Sequence, residues 1–243
     1  KPDFLFHLGA YTDLEYCENN IDDTYLTNTL SVENAVLIAN QLDIPILYIS
    51  TAGIFDGMKE QYDDWDMPNP LGVYGRSKYK GERYVIENAR KYFSSRAGRM
   101  MGGGPEKDKK FIGKLIKQIT AGQKELNIVN DKDGTPTYTR DFAKTVKELI
   151  QTDFFGLYNL VCSGNTSRIE VAKHLLAVLE INDVHITEVD SSFFESEYFA
   201  KRPPSENLLN KKLELRGVNK MTDWKTALES YINVYFSHLK DAN

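Results

Sequence analysis

Cysteine is almost absent from this chain. Cys17 and Cys162 are the only two among 243 residues, and no C-x-x-C pair occurs. Nothing here reads as a disulfide framework or a thiolate metal site. Two buried thiols in a reducing compartment, the cytoplasm, are the expectation. No run of about 18 apolar residues occurs, so no membrane-spanning helix is expected. The first residues show no signal-peptide pattern. Positive charge is not in excess either. The formal net charge is −5, which supplies no electrostatic footprint for nucleic acid. His7, His174, His185 and His238 are scattered without metal-ligand spacing, and no metal site is expected. Glycine is missing where a nucleotide-binding chain would carry it. There is no G-x-G-x-x-G or G-x-x-G-x-x-G loop to cradle a pyrophosphate, and the cluster Gly102 to Gly104 has neither spacing.

What is present reads as an α/β protein. Phe4 to Leu8 form a short apolar strand that runs into Gly9-Ala10-Tyr11-Thr12. A polar stretch, Asp13 to Asp23, follows, and Asn28 opens a helix. Val32, Ala35, Val36, Ala39 and Leu42 fall at helical spacing along it. Pro45 to Ile49 are continuously apolar up to Tyr48-Ile49, as in a buried parallel strand. Strand, helix, strand is the pattern of a parallel sheet. The next helix runs from Tyr74 to about Arg90, and a strand covers Tyr92 to Arg96. Phe111, Leu115, Ile116 and Ile119 mark one amphipathic helix, and Phe142, Val146, Leu149 and Ile150 another. Leu126 to Val129, Gly156 to Val161 and His185 to Val189 read as strands. Ser167 caps a helix through Leu179, and helices over 208–215 and 222–239 finish the chain. Lys107-Asp108-Lys109-Lys110 reads as a solvated helix start. Asp63, Asp64 and Asp66 read as a solvated loop, and Arg96 as a buried, paired arginine.

The chemistry begins with Tyr74 and Lys78. Four residues apart, they share one helix face. A phenol has an unperturbed pKa of about 10 and is a poor proton donor or base at neutral pH. A nearby ammonium stabilises its phenolate and lowers that value. Ser50-Thr51 end the strand Ile44 to Ile49, at the sheet edge where open α/β folds place their ligands. A hydroxyl there completes a site that polarises a carbonyl.

Five motifs occur in a fixed order: Gly9-Ala10-Tyr11-Thr12, Ser50-Thr51, Tyr74 with Lys78, Gly134-Thr135-Pro136-Thr137, and Arg202-Pro203. With them the chain resembles the extended short-chain dehydrogenase/reductases, and within these the dTDP-4-dehydrorhamnose reductase family. The resemblance implies an α/β fold with a Rossmann-like parallel sheet and a smaller C-terminal α/β domain. Residues 1–98 and 138–162 would form a partial NAD(P)-binding domain. Residues 99–137 and 163–243 would form the domain that binds a sugar nucleotide. Family members carry roughly 50–60 further residues at the N-terminus, with the first strands and the glycine-rich loop. The chain resembles a member without that part, and on its own it is expected to bind NAD(P)H weakly or not at all.

The implied activity is NADPH- or NADH-dependent reduction of the 4-keto group of a nucleotide-linked deoxysugar, with dTDP-4-dehydrorhamnose the foremost candidate. Tyr74 would give the proton, Lys78 would lower its pKa and hold the nicotinamide ribose, and Thr51 would hydrogen-bond the carbonyl oxygen. Gly9, Ala10 and Tyr11 would line the cofactor together with Tyr74 and Lys78. Thr12, Thr51, Arg99 and Arg202 would face the substrate, Arg202 at its diphosphate. Asn28 matches the family's helix-start asparagine. Two departures stand out. Ala52 replaces the family's usual aspartate, and Ala52-Gly53 cannot do the acid/base work of a sugar-nucleotide dehydratase. Arg99 stands where the family often has an aromatic residue close to the sugar. A homodimer stays open. So do two other readings: a non-catalytic relative similar to the regulatory beta subunit of methionine adenosyltransferase, and a nucleotide-sugar epimerase.

Overall fold

The computed structural model describes residues 1–240. It begins with strand β1 (Leu5–His7), followed by helices α1 (Leu14–Asn19) and α2 (Ile21–Tyr25). The polar stretch is thus helical. Asp13 caps α1, its carboxylate accepting from the Tyr16 N–H. Asn28 does not open a helix. It lies in a π-turn, Leu26–Leu30, that joins α2 to α3 (Ser31–Leu42). A π-turn inserts an extra residue into a continuing helix, and the polar side chains of this segment mask that continuity in the sequence. Helix α3 buries Val32, Ala35, Val36 and Ala39 and stops where Asp43 turns left-handed at φ 53°.

Strand β2 (Ile46–Thr51) is almost wholly buried and ends in a tight turn, Ala52–Ile54. After a long loop come α4 (Val73–Asn88) and β3 (Tyr92–Ala97). Next are β4 (Met100–Met101), α5 (Gly104–Lys107), α6 (Phe111–Thr120), β5 (Glu125–Val129), β6 (Thr137–Tyr138) and α7 (Thr139–Leu149). Then β7 (Gly156–Asn159), α8 (Arg168–Val178) and β8 (His185–Val189) follow, with α9 (Lys211–Leu215) and α10 (Trp224–Tyr235) last. Helix α8 starts with a reciprocal capping box between Ser167 and Glu170.

The main sheet is four-stranded and parallel, in the order β1-β2-β3-β7. Two parallel pairs, β4 with β6 and β5 with β8, stand apart from it. Strand β1 is at one edge, with Phe6 and Leu8 exposed beside it. Helices α3 and α4 cover one face, where Val32, Val36, Ile46, Tyr48 and Val85 pack together. The opposite face belongs to a larger core that reaches from Leu47 and Phe93 to Leu126, Leu175 and Leu228. Sheet residues and residues from beyond position 99 therefore share one core.

Two buried polar groups tie the sheet to its surroundings. Arg96 on β3 donates to Glu82 on α4 through two bonds, 2.7 and 3.0 Å long, and both side chains are almost fully buried. Asp64 is not solvated. It is buried, and its carboxylate accepts from the backbone N–H of Asn159 at 2.6 Å and of Lys212 at 2.9 Å. The charge run at 107–110 is likewise only partly solvated: Asp108 is buried and accepts from the Tyr231 hydroxyl.

Candidate active site

The carboxyl ends of β1, β2 and β3 open into a cavity of about 330 Å³. Leu8, Ala10 and Thr12 reach it after β1, Ser50 and Thr51 at the end of β2, and Gly98 and Arg99 after β3. Helix α4 brings Tyr74 and Lys78, and the loop near position 200 brings Arg202. Of the residues expected from the sequence, Gly9 and Tyr11 do not line this cavity. Tyr11 is held by Asn28, which accepts from its N–H at 2.8 Å and donates to its carbonyl at 3.0 Å. The same amide donates to Ser77 on α4 at 3.1 Å. Asn28 thus clamps the segment after β1 to the helix that carries Tyr74 and Lys78.

Helix α4 is pressed against the end of β2, and glycines make that possible. A Cβ at Gly75 would meet the Gly53 carbonyl oxygen at 2.4 Å. A Cβ at Gly81 would meet the Asn28 carbonyl at 2.8 Å and the Tyr48 hydroxyl at 2.9 Å. The Thr51 Oγ1 accepts from the Gly53 N–H at 3.1 Å and so caps the turn that follows. Its own proton stays available to donate into the cavity. The Ser50 hydroxyl also lines the cavity, and its oxygen is buried without a protein partner.

Burial dominates the electrostatics. Lys78 is 4% exposed. Its ammonium lies 4.3 Å from the centre of the Tyr48 ring and makes no hydrogen bond to a protein group among the described residues. Desolvation pushes its pKa down to about 7, and the Glu82 carboxylate holds back part of that fall. Burial and the Lys78 charge together lower His7. The sequence suggests that Lys78 lowers the Tyr74 pKa. In the free protein the reverse holds: burial pushes the phenol up to about 12, and the Thr51 hydroxyl offsets only part. A buried phenolate is costly, and a lysine that titrates near neutrality delivers little charge to stabilise it.

Three charged lining residues were not singled out from the sequence as site groups. Lys110 belongs to the charge run, yet its ammonium donates to the Thr12 hydroxyl at 3.2 Å and faces the cavity. Glu206 accepts from Arg99 Nε at 3.3 Å. Arg168 opens α8, and its guanidinium lies 5.1 Å from the Phe111 ring centre. Arg202 is held by Glu15 through bonds of 2.7 and 2.9 Å. No group of three or more metal-binding side chains occurs among the described residues. Nor is any described helix long and apolar enough to cross a membrane.

A family profile described as the RmlD substrate binding domain matches residues 1–237. Among solved structures, the dTDP-4-dehydrorhamnose reductase of Yersinia enterocolitica is 32% identical. It superposes with a TM-score of 0.90 over 97% of this chain and 82% of its own. The dTDP-4-dehydrorhamnose reductase of Bacillus anthracis, solved in complex with NADP, is 29% identical with a TM-score of 0.89, covering 96% of this chain and 81% of that one. The curated dTDP-4-dehydrorhamnose reductase of Sinorhizobium fredii is 28% identical over 99% of this chain and 83% of its own length. The profile match spans nearly every residue of the fold described above, and the chain belongs to the RmlD substrate binding domain family, that of the dTDP-4-dehydrorhamnose reductases.

Proposed function

We propose that this chain is an NAD(P)H-dependent oxidoreductase that reduces the 4-keto group of a nucleotide-linked deoxysugar. dTDP-4-dehydrorhamnose is the substrate that its named relatives point to. The observation that carries this reading is the convergence of Thr51, Tyr74 and Lys78 on one cavity at the carboxyl ends of parallel strands. The cavity suits a nicotinamide nucleoside. The Lys78 side chain is buried and its ammonium makes no protein hydrogen bond among the described residues, the Ser50 hydroxyl is buried without a partner, and ribose hydroxyls would satisfy both. After β1, Ala10 lines the cavity, and its small side chain leaves the backbone there open to a ligand. We assign residues 1–98 and 138–162 to the cofactor side, and 99–137 with 163–243 to the sugar nucleotide.

A bound reduced nicotinamide supplies the hydride. Tyr74 is a neutral phenol at physiological pH, burial raising its pKa still further, and it gives its proton to the carbonyl oxygen. Thr51 donates to the same oxygen and stabilises the charge that develops on it. Lys78, when protonated, stabilises the phenolate left behind. Arg202 and Lys110 face the diphosphate, and Thr12 positions Lys110. Ala52 and Gly53 place no carboxylate behind Thr51, which argues against elimination of water.

The test is oxidation of NADPH and NADH against a panel of nucleotide 4-keto sugars. Tyr74→Phe is expected to lower kcat by about 10²–10⁴-fold while leaving cofactor affinity nearly unchanged. Unchanged turnover would remove Tyr74 as the proton donor. An absence of turnover with every sugar would point to a scaffold role instead.

A further inference from the structure

We propose that Arg168 grips the diphosphate of the bound sugar nucleotide, at the phosphate that carries the sugar. The motifs that place Arg202 at the diphosphate do not point to this residue. The proposal rests on the reading of the cavity as a sugar-nucleotide site.

The first ground is a guanidinium left without partners. Arg168 lines the cavity. Its side chain makes no ion pair and no hydrogen bond among the described residues, and its Nε is buried. Arg99 and Arg202, which also line the cavity, are engaged. Arg99 donates to Glu206 and to the carbonyls of Lys132 and Asp133. Arg202 is tied to Glu15 by two bonds.

The second ground is that this charge does not stabilise the fold. Arg168 is the first residue of α8, at the helix end where the backbone dipole disfavours a cation. Burial, and after it the charges of Arg99 and Arg202, push its pKa down to about 10. Glu206 opposes that fall, but its carboxylate is bonded to Arg99. Arg168 is therefore charged at neutral pH, desolvated and without an acceptor, a state that is unfavourable in the free protein. Phe111 is what holds its plane, with the ring centre 5.1 Å from the guanidinium. Functional sites keep such groups where a bound ligand satisfies them.

Place is the third ground. Phe111 follows Lys110, whose ammonium meets Thr12. The charge of Arg202 reaches both Lys110 and Arg168. These three cations therefore surround one part of the cavity. Arg168 is the member on the side of the reacting groups, because it also feels Glu206 and Arg99. Glu206 Oε1 is 3.6 Å from the Cβ position of Gly53, which is itself 3.5 Å from Thr51 Oγ1 and 3.6 Å from the Tyr74 ring. In a sugar nucleotide, the phosphate joined to the sugar is the one nearer the reacting carbon. Arg168 meets that phosphate, and Lys110 and Arg202 meet the one joined to the nucleoside. A planar fork suits two oxygens of one phosphate, and it requires no charge on the sugar.

The experiment measures binding by calorimetry, comparing dTDP with dTMP and UDP with UMP. Within a pair the base contribution cancels and only the second phosphate differs. Arg168→Met should weaken the diphosphate member at least tenfold, the loss of a charge-assisted fork, and leave the monophosphate within about twofold. Arg168→Lys keeps the charge without the fork and should fall between the two. Arg202→Met should weaken both members. Urea unfolding without nucleotide separates this role from a structural one. Arg168→Met should raise the midpoint, because it removes a buried charge that has no partner. The inference is overturned by equal losses for both members of a pair, by a diphosphate affinity that survives Arg168→Met, by a lowered midpoint, or by no binding of either diphosphate. These probes carry no keto group, so the result is independent of turnover. Selective loss of diphosphate binding in a protein that reduces no keto sugar keeps the phosphate fork and removes the reductase. Keto-sugar reduction with a KM unmoved by Arg168→Met removes the fork and leaves the reductase.

Discussion

Replacing Lys78 by Met should change how the stability of the free protein depends on pH. Lysine titrates at 10.5 when unperturbed, and burial moves Lys78 to about 7 in the folded chain. Below pH 7 both folded and unfolded chains hold the proton, and the folded chain bears the full penalty of burying the charge. That penalty is about 5 kcal/mol, without a discount for solvent because the side chain is so well buried. Between pH 7 and 10 the unfolded chain still binds the proton while the folded chain has lost it. Stability therefore rises with pH in this window. The contribution grows by about 2 kcal/mol between pH 7 and pH 9. Met keeps the apolar stem and removes the charge, so it should stabilise the protein most at pH 7 and progressively less at pH 9. Tyr74 does not confuse the measurement, since its raised pKa matters only where the unfolded phenol begins to ionise, near pH 10. His7 is pushed downward, away from the window. Urea unfolding of both proteins at pH 7, 8 and 9 gives the difference directly. A Lys78→Met effect of equal size at pH 7 and pH 9 would refute the claim that Lys78 titrates near neutrality in the fold.

Arg96→Met should destabilise the protein by about 3–5 kcal/mol in urea unfolding, because it leaves the Glu82 carboxylate buried without its partner; a loss under about 1 kcal/mol would mean that water reaches Glu82. Gly75→Ala should lower stability by about 1–3 kcal/mol, since its Cβ would collide with the Gly53 carbonyl. The same change should cut kcat more than it raises KM, because α4 must move away from Thr51 and take Tyr74 with it; unaltered kinetics would show that the two groups need not be held together.

Much of the fold could be read from periodicity. Strand β2 is buried on both faces and is continuously apolar from Ile46 to Ile49, and the capping box of α8 is a local pattern at Ser167 and Glu170. The segment between β1 and α3 could not be read in this way. Its helices are short, polar and joined through a π-turn, so no stripe of apolar residues recurs at a constant period. Asn28 is the clearest case. An asparagine ahead of an apolar helical pattern has the local signature of an N-cap, but here its amide spends its hydrogen bonds on Tyr11 and Ser77, 17 and 49 residues away. A contact of that length has no local signature.

The site divides along the same line. Thr51, Tyr74 and Lys78 were identifiable because their chemistry and spacing are local, and all three line one cavity. Their protonation was not identifiable, because it depends on what lies around them. Adjacency to a lysine lowers a phenol's pKa only where that lysine stays charged. Here the same burial that shapes the cavity discharges Lys78 toward pH 7 and raises Tyr74. Arg168 shows the converse. In the sequence it is one basic residue at a helix start, with nothing to distinguish it from a solvated one. It becomes distinctive only in the fold, where its Nε is buried without a partner, its guanidinium lies over Phe111, and burial with the charge of Arg99 lowers its pKa. A local motif thus picks out the candidate reacting groups, whereas their charge states follow from the cavity that distant stretches of chain build around them.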